Sequence, residues 1–221
     1  MAKLKRLEIE KVPTFLTRAV FCLFIAASSS SLASTYSLQC SSIFLPKSDL
    51  FIPMNPSYRG EDLGLYRDTI SNKQWNVIYF TPRERGPFTL RLQAGLLRDH
   101  RGQLFSTPFN SDNGQFESVL FVINKKMELL YLPFEQRGKY HHSTLSAGDD
   151  IIFAGTMIVV DGRMTEVSNH SGHYKPSTEQ TVKVLRLLHE MGLDHSRLNL
   201  VGISARELGG AYSLPVSKIL E

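Results

Sequence analysis

The sequence predicts a β-rich α+β fold, an antiparallel meander sheet covered by at least one C-terminal amphipathic helix. Three observations carry this. Phe88–Gln93 alternates apolar with polar residues, the two-residue period of a strand with one face buried. Three later segments each run apolar, turn, apolar: Leu96–Ser106, Leu120–Tyr131 and Met157–Val167. One helix is signalled at both ends. Ser177 stands as N-cap with Gln180 three residues on, and Gly192 is placed to end it.

In chain order, Pro46, Pro53 and Pro56 with Ser48, Asp49 and Asn55 predict loops over residues 34–74, with a short helix or loop around Glu61–Ser71. Strand character begins at Trp75. Asn76–Thr81 is dense in β-branched and aromatic residues and stops at Pro82. Among the three hairpin-like segments, Asp161-Gly162 is the strongest turn, because glycine takes the positive φ that a primed turn requires. Asn124-Lys125 and Arg101-Gly102 are weaker versions. After Ser177, Thr181, Val182, Val184, Leu185, Leu188 and Met191 form an apolar face at helical spacing. Leu198–Val201 reads as a short strand, and 204–221 as a weakly structured tail with room for one short helix. The globular domain is therefore expected over 75–203.

Residues 1–33 read as a leader. Basic residues to Arg18 precede the apolar run Ala19–Ala27, and Ser31 and Ala33 suit cleavage after Ala33. The run is shorter than the ~20 residues that span a bilayer. This predicts a signal peptide and a secreted or periplasmic protein of a bacterial export route. Leu38-Gln39-Cys40 is a weak lipoprotein match. Of two cysteines only Cys40 would remain, so no internal disulfide is available. The chain carries +4, but residues 34–221 hold 20 Lys/Arg against 19 Asp/Glu. No basic run exists to track a phosphate backbone, which argues against nucleic-acid binding.

Tyr140–Pro176 concentrates the candidate chemistry: it holds four of seven histidines, four glycines and two apolar strand runs. Its two ends supply the candidate binding residues His141, His142, Ser143, His170, Ser171, His173 and Tyr174. His170 and His173 are weak metal candidates, because three-residue spacing converges on a helix and Ser171-Gly172 argue for a turn. No metal or other cofactor is therefore expected. Nucleophilic hydrolysis would use Ser143 or Ser171, a histidine, and Asp149 or Asp150, but no GxSxG elbow is present. His142, Ser143, His173 and Tyr174 are the catalytic candidates. An ADP-ribosyl-transfer site could be cast from Tyr140–Ser143, Ser171–Tyr174 and Glu166. Against all of these stands a bracing role, in which the same side chains satisfy backbone groups and lock two loops together.

Phe121-Val122-Ile123, His141-His142-Ser143, Ala147-Gly148, Ala154-Gly155, Asp161-Gly162 and Ser171–Pro176 together resemble a domain of uncharacterised bacterial secreted or effector-like proteins. The stretch Leu120–Ile203 is also similar to the C-terminal half of the plant IQ-motif calmodulin-binding proteins. Thr144-Leu145 and Asp149-Asp150 depart from the family pattern. The resemblance implies that calmodulin binding belongs to an IQ motif outside this region. No basic IQ-type helix occurs here, so calmodulin is not carried over as a partner. The resulting expectation is an exported soluble binding module, for a protein or small-molecule ligand, that uses the His141–Ser143 and His170–Tyr174 loops. The alternative is a hydrolase or ADP-ribosyl-transfer enzyme with the same residues in one cleft.

Overall fold

In the computed structural model, residues 50–221 are described, and they lie in a unit running from Ile43 to Glu221. Its strands are β1 (Thr89–Gln93), β2 (Leu96–Arg98), β3 (Phe109–Asn110), β4 (Gln115–Phe116), β5 (Val119–Asn124), β6 (Leu129–Leu132), β7 (Ile151–Val160), β8 (Arg163–Ser168), β9 (Asn199–Val201) and β10 (Ser213–Pro215). The helices are α1 (Pro82–Arg85), α2 (His142–Ser146), α3 (Thr178–Glu190), α4 (Ile203–Glu207) and α5 (Ser217–Leu220). One eight-stranded sheet runs β10-β9-β8-β7-β5-β6-β1-β2, and β3-β4 is a separate hairpin. Every pair is antiparallel except β8–β9. That pair is parallel because α3 is the crossover between its strands, and a parallel pair cannot be closed by a tight turn. The protein is thus β-rich α+β, as expected, with a mixed sheet.

Alternation explains the two-sided core. All six residues of β5 are buried. Val119, Phe121 and Ile123 point into one apolar layer, and Leu120 and Val122 into the other. The first layer is closed by α3 through Val184, Leu185, Leu187 and Leu188. The second is closed by α2 through Leu145 and by Ile52 and Met54 from the N-terminal segment. The register slips by one residue opposite Ile123/Asn124, so both Ile152 and Phe153 face the first layer while Ile151 and Ala154 face the second.

The turn chemistry behaves as read. Asp161 and Gly162 carry φ of 48° and 80°, both positive as a primed hairpin turn requires. The Ser177–Gln180 capping box opens α3. Met191 departs from the expected face. It lies beyond the last helical turn and is exposed. The expected turn at Arg101-Gly102 also forms: the chain folds back on β2, with Arg98 bridged to Leu104 and the Phe105 N–H donating to the Leu97 carbonyl (3.0 Å). The Leu97 N–H donates to the Gly162 carbonyl (2.7 Å), Gly162 N–H to Phe105 (2.7 Å) and Thr107 N–H to Val159 (2.9 Å). These bonds curl the sheet edge over the β7–β8 turn.

Asn76–Thr81 does not become a strand. Its amides go to scattered partners: Asn76 to Gly138, Val77 to Glu61, Ile78 to Lys139 and Phe80 to Thr144. An extended segment bonded to so many separate stretches makes no ladder, whatever its β propensity. The last residues, expected as a tail, hold α4, the edge strand β10 and α5.

Candidate functional site

The two ends of Tyr140–Pro176 meet. α2 places His141 and His142 at its N-terminal end, and the turn after β8 places His173 and Tyr174 against it. The His141 and His173 rings stack with centroids 4.8 Å apart. Trp75 stacks on His141 at 4.7 Å and 14°, and Tyr58 on His173 at 4.2 Å and 25°. The Ser146 hydroxyl lies 2.5 Å from the Tyr174 hydroxyl, which in turn donates to the Asp149 carbonyl (2.9 Å). Burial raises the Tyr174 pKa, keeping it a neutral donor.

His141, His142 and His173 are each committed to a structural partner. His141 Nε2 accepts from the Gly138 N–H (2.8 Å), so its proton sits on Nδ1, 3.6 Å from the Glu135 carboxylate. That proximity, with His142 and His170 adding to it, holds the Glu135 carboxyl below its ordinary value. His142 Nε2 donates to the Gly155 carbonyl (2.9 Å). His173 Nε2 donates to Glu61 (2.8 Å), whose side chain is wholly buried and also accepts from the Tyr79 hydroxyl (3.3 Å).

His142 makes stability depend on pH. Burial pulls its pKa down from 6.5 to about 4, although the Gly155 carbonyl pushes the other way. The unfolded chain takes up a proton below 6.5 that the folded chain refuses until about 4. Stability from this group is therefore complete above 6.5 and lost as pH falls from 6.5 to 4, about 3 kcal/mol in all. Denaturant titrations between about pH 7 and about pH 4.5 should show a loss that is flatter by most of this amount in His142→Gln. Equal slopes in both proteins would count against it.

The catalytic geometry is not assembled around Ser143. Its hydroxyl is buried and has no hydrogen-bond partner among the described residues, a histidine included. Ser171 Oγ accepts from the Tyr174 amide (3.3 Å), the bond of a local turn. The metal candidates diverge: His173 is buried against Glu61, whereas His170 is exposed. Among the described residues no three His, Cys, Asp or Glu side chains gather as a metal set.

Over the ring stack opens a cavity of 440 Å³, bordered by Tyr58, Trp75, Glu135, Arg137, His141 and His170. Arg137 is fixed by an ion pair to Asp68 (2.9 Å), whose carboxyl the Ser71 hydroxyl and then Arg137 hold down to about 2. Tyr58, Glu61, Trp75, Tyr79, Glu135 and Arg137 carry no motif and were not singled out by spacing. The one available signal was Trp75, the sole tryptophan.

Fold and site together define a β-rich α+β domain with a braced loop cleft. Residues 84–181 match the family described as the IQ motif-containing protein middle domain. Among curated relatives, IQ domain-containing protein IQM2 of Arabidopsis thaliana is 29% identical over 123 residues, covering 55% of this chain and 20% of that protein. IQM3 of the same plant is 29% identical over 119 residues (53% and 25%), and IQM1 is 26% identical over 136 residues (61% and 27%). The chain thus spans about a quarter or less of these relatives' length. No solved structure matches it.

The resemblance to plant IQ-motif proteins stands, over a stretch that begins at residue 84 and is described as a middle domain. The resemblance to bacterial effector-like proteins is not supported. The reading of a signal-bearing, secreted or periplasmic bacterial protein is overturned too, because the relatives are plant IQ domain-containing proteins. The leader residues 1–33, and Cys40 with its lipoprotein match, lie outside the described residues. No helix among the described residues is long and apolar enough to cross a membrane.

Proposed function

We propose that this chain is a non-catalytic binding module, and that its recognition element is the cleft between the His141–Ser143 and His170–Tyr174 loops. The folded residues 75–203, with the strap before them and the elements after them, act in this reading as one binding domain. The observation that carries it is the division of labour among the histidines. His141, His142 and His173 are buried and bonded to backbone or carboxylate, so they brace. His170 alone of the four is exposed, at the cleft rim beside Arg137 and Glu135. A similarity to IQ domain-containing proteins supports an interaction role. Calmodulin is not the partner proposed, since nothing in the cleft resembles a basic helix or a groove for one.

The sole tryptophan lines the cleft, so its emission reports on occupancy. Titrating a panel of nucleotides, sugars and peptides should move the Trp75 emission with at least one compound. His170→Ala should abolish that response at an unchanged melting temperature. Turnover of any panel member that depends on Ser143 would overturn the reading, and so would an emission that no compound moves.

A further inference from the structure

The cleft does not end at His170. Thr156, His170 and Gly172 also border a second cavity of 790 Å³, within the ~300–1,000 Å³ of small-molecule sites. Its floor is the outer face of three adjacent strands: Thr156 and Ile158 of β7, Glu166 and Ser168 of β8, and Val201 of β9. Phe116 forms one wall, and Ile203 and Tyr212, 68% and 59% exposed, form the other. The Thr156 hydroxyl, bonded to Ser168 at 2.7 Å, stands where the two cavities join.

Three features restrict what fits. First, β7, β8 and β9 each have strand neighbours on both sides, so the floor offers no free backbone ladder to an added peptide strand. Recognition falls to side chains. Second, the charges nearly cancel. Glu135 and Glu166 face Lys175, His170 and an Arg137 already paired with Asp68, so there is no cationic surplus for phosphates. Third, hydroxyls predominate among the polar groups, with the Glu166 carboxylate and the Asn169 amide, beside one exposed ring, Tyr212. The Arg206 guanidinium covers part of the Tyr212 ring at 5.6 Å, and the rest stays open.

We propose that the joined groove binds a neutral oligosaccharide, with the open part of Tyr212 against a sugar ring, Glu166 accepting from sugar hydroxyls, and the chain continuing past Thr156 toward His170. The proposal rests on the binding-module reading and names its ligand class. A hydroxyl-rich, uncharged ligand with an apolar face matches a site of carboxylate, hydroxyl and aromatic groups, whereas a dinucleotide or an extended peptide does not.

The test titrates the full chain with maltohexaose, cellohexaose and chitohexaose, reading Trp75 emission and saturation transfer to the sugar protons, with ADP-ribose and a mixed peptide pool as controls. At least one hexaose is expected to bind. Tyr212→Ala should weaken it about tenfold, equivalent to ~1.4 kcal/mol, and Glu166→Gln should also weaken it, both at an unchanged melting temperature. Sugar binding untouched by either substitution overturns the proposal. Binding of only ADP-ribose or peptide overturns the sugar assignment and leaves the binding-module reading standing. Silence of every ligand overturns both.

Discussion

Gly155→Ala is expected to lower stability by about 3 kcal/mol or more, or to prevent soluble folding. A Cβ at this position would overlap the Ser168 carbonyl oxygen and press the Phe153 ring at 3.2 Å. The obstacle is mainly backbone, so no rotamer change relieves it. Nor can the strand retreat. Gly155 pairs with Phe121 across β5–β7, and its carbonyl accepts the His142 N–H. Moving β7 away from Ser168 would break the register that holds α2 in place. Gly172→Ala is the control. Its nearest neighbour is the Tyr58 hydroxyl at 3.7 Å, an ordinary contact. That change should stay within about 0.5 kcal/mol, as surface substitutions usually do. Urea midpoints of the two variants measure the contrast, and a Gly155→Ala protein as stable as Gly172→Ala would refute the steric account.

The same residue shows what could be read from sequence. Ala154-Gly155 was one of the fragments carrying the family resemblance, but its reason, a backbone approach from β8, is visible only once the sheet is assembled. Local rules did well where a few adjacent residues decide the outcome. The Asp161-Gly162 turn, the Ser177 cap and the alternation of β1 depend on neighbours in sequence. They failed where partners come from far away. The dense β-formers of Asn76–Thr81 found no ladder. α2 is one buried turn and a half, too short for a helical period to show. β9 runs parallel because of the α3 crossover, although strand, helix, strand was there to be read. The histidines at the two ends of one hairpin do come together, since a folded hairpin brings its ends together. The residues that complete the stack and the hydrogen bond to His173, Tyr58, Glu61 and Trp75, come from the proline-containing segment 50–74 and the extended run after it. Nothing in their spacing says that they return to His141 and His173.

Glu61→Ala is expected to cost about 3 kcal/mol or more, because a buried donor left without its acceptor costs about 1–3 kcal/mol and the emptied volume adds to it. Glu61 is fully buried, and its carboxylate accepts from both His173 and the Tyr79 hydroxyl. Truncation leaves the buried His173 N–H without its acceptor and takes one acceptor from the half-buried Tyr79 hydroxyl, in addition to opening a cavity. Glu61→Gln retains an acceptor oxygen and should cost less, so the order wild type, Gln, Ala distinguishes lost hydrogen bonding from lost volume. The consequence reaches the cleft, because the pair also fastens the strap. The Val77 N–H donates to the Glu61 carbonyl (3.1 Å) and the Asn55 N–H to the His173 carbonyl (2.7 Å), so Tyr58 and Trp75 are held by the same few residues. Loosening them should shift the Trp75 emission to the red as water reaches the indole. Ligand response should therefore disappear together with stability in Glu61→Ala, whereas His170→Ala removes the response alone. A Glu61→Ala protein with native emission and a loss under about 1 kcal/mol would show that the strap is held by its apolar contacts, Ile52 and Met54 against the second core layer, and that the Glu61–His173 hydrogen bond is incidental to it.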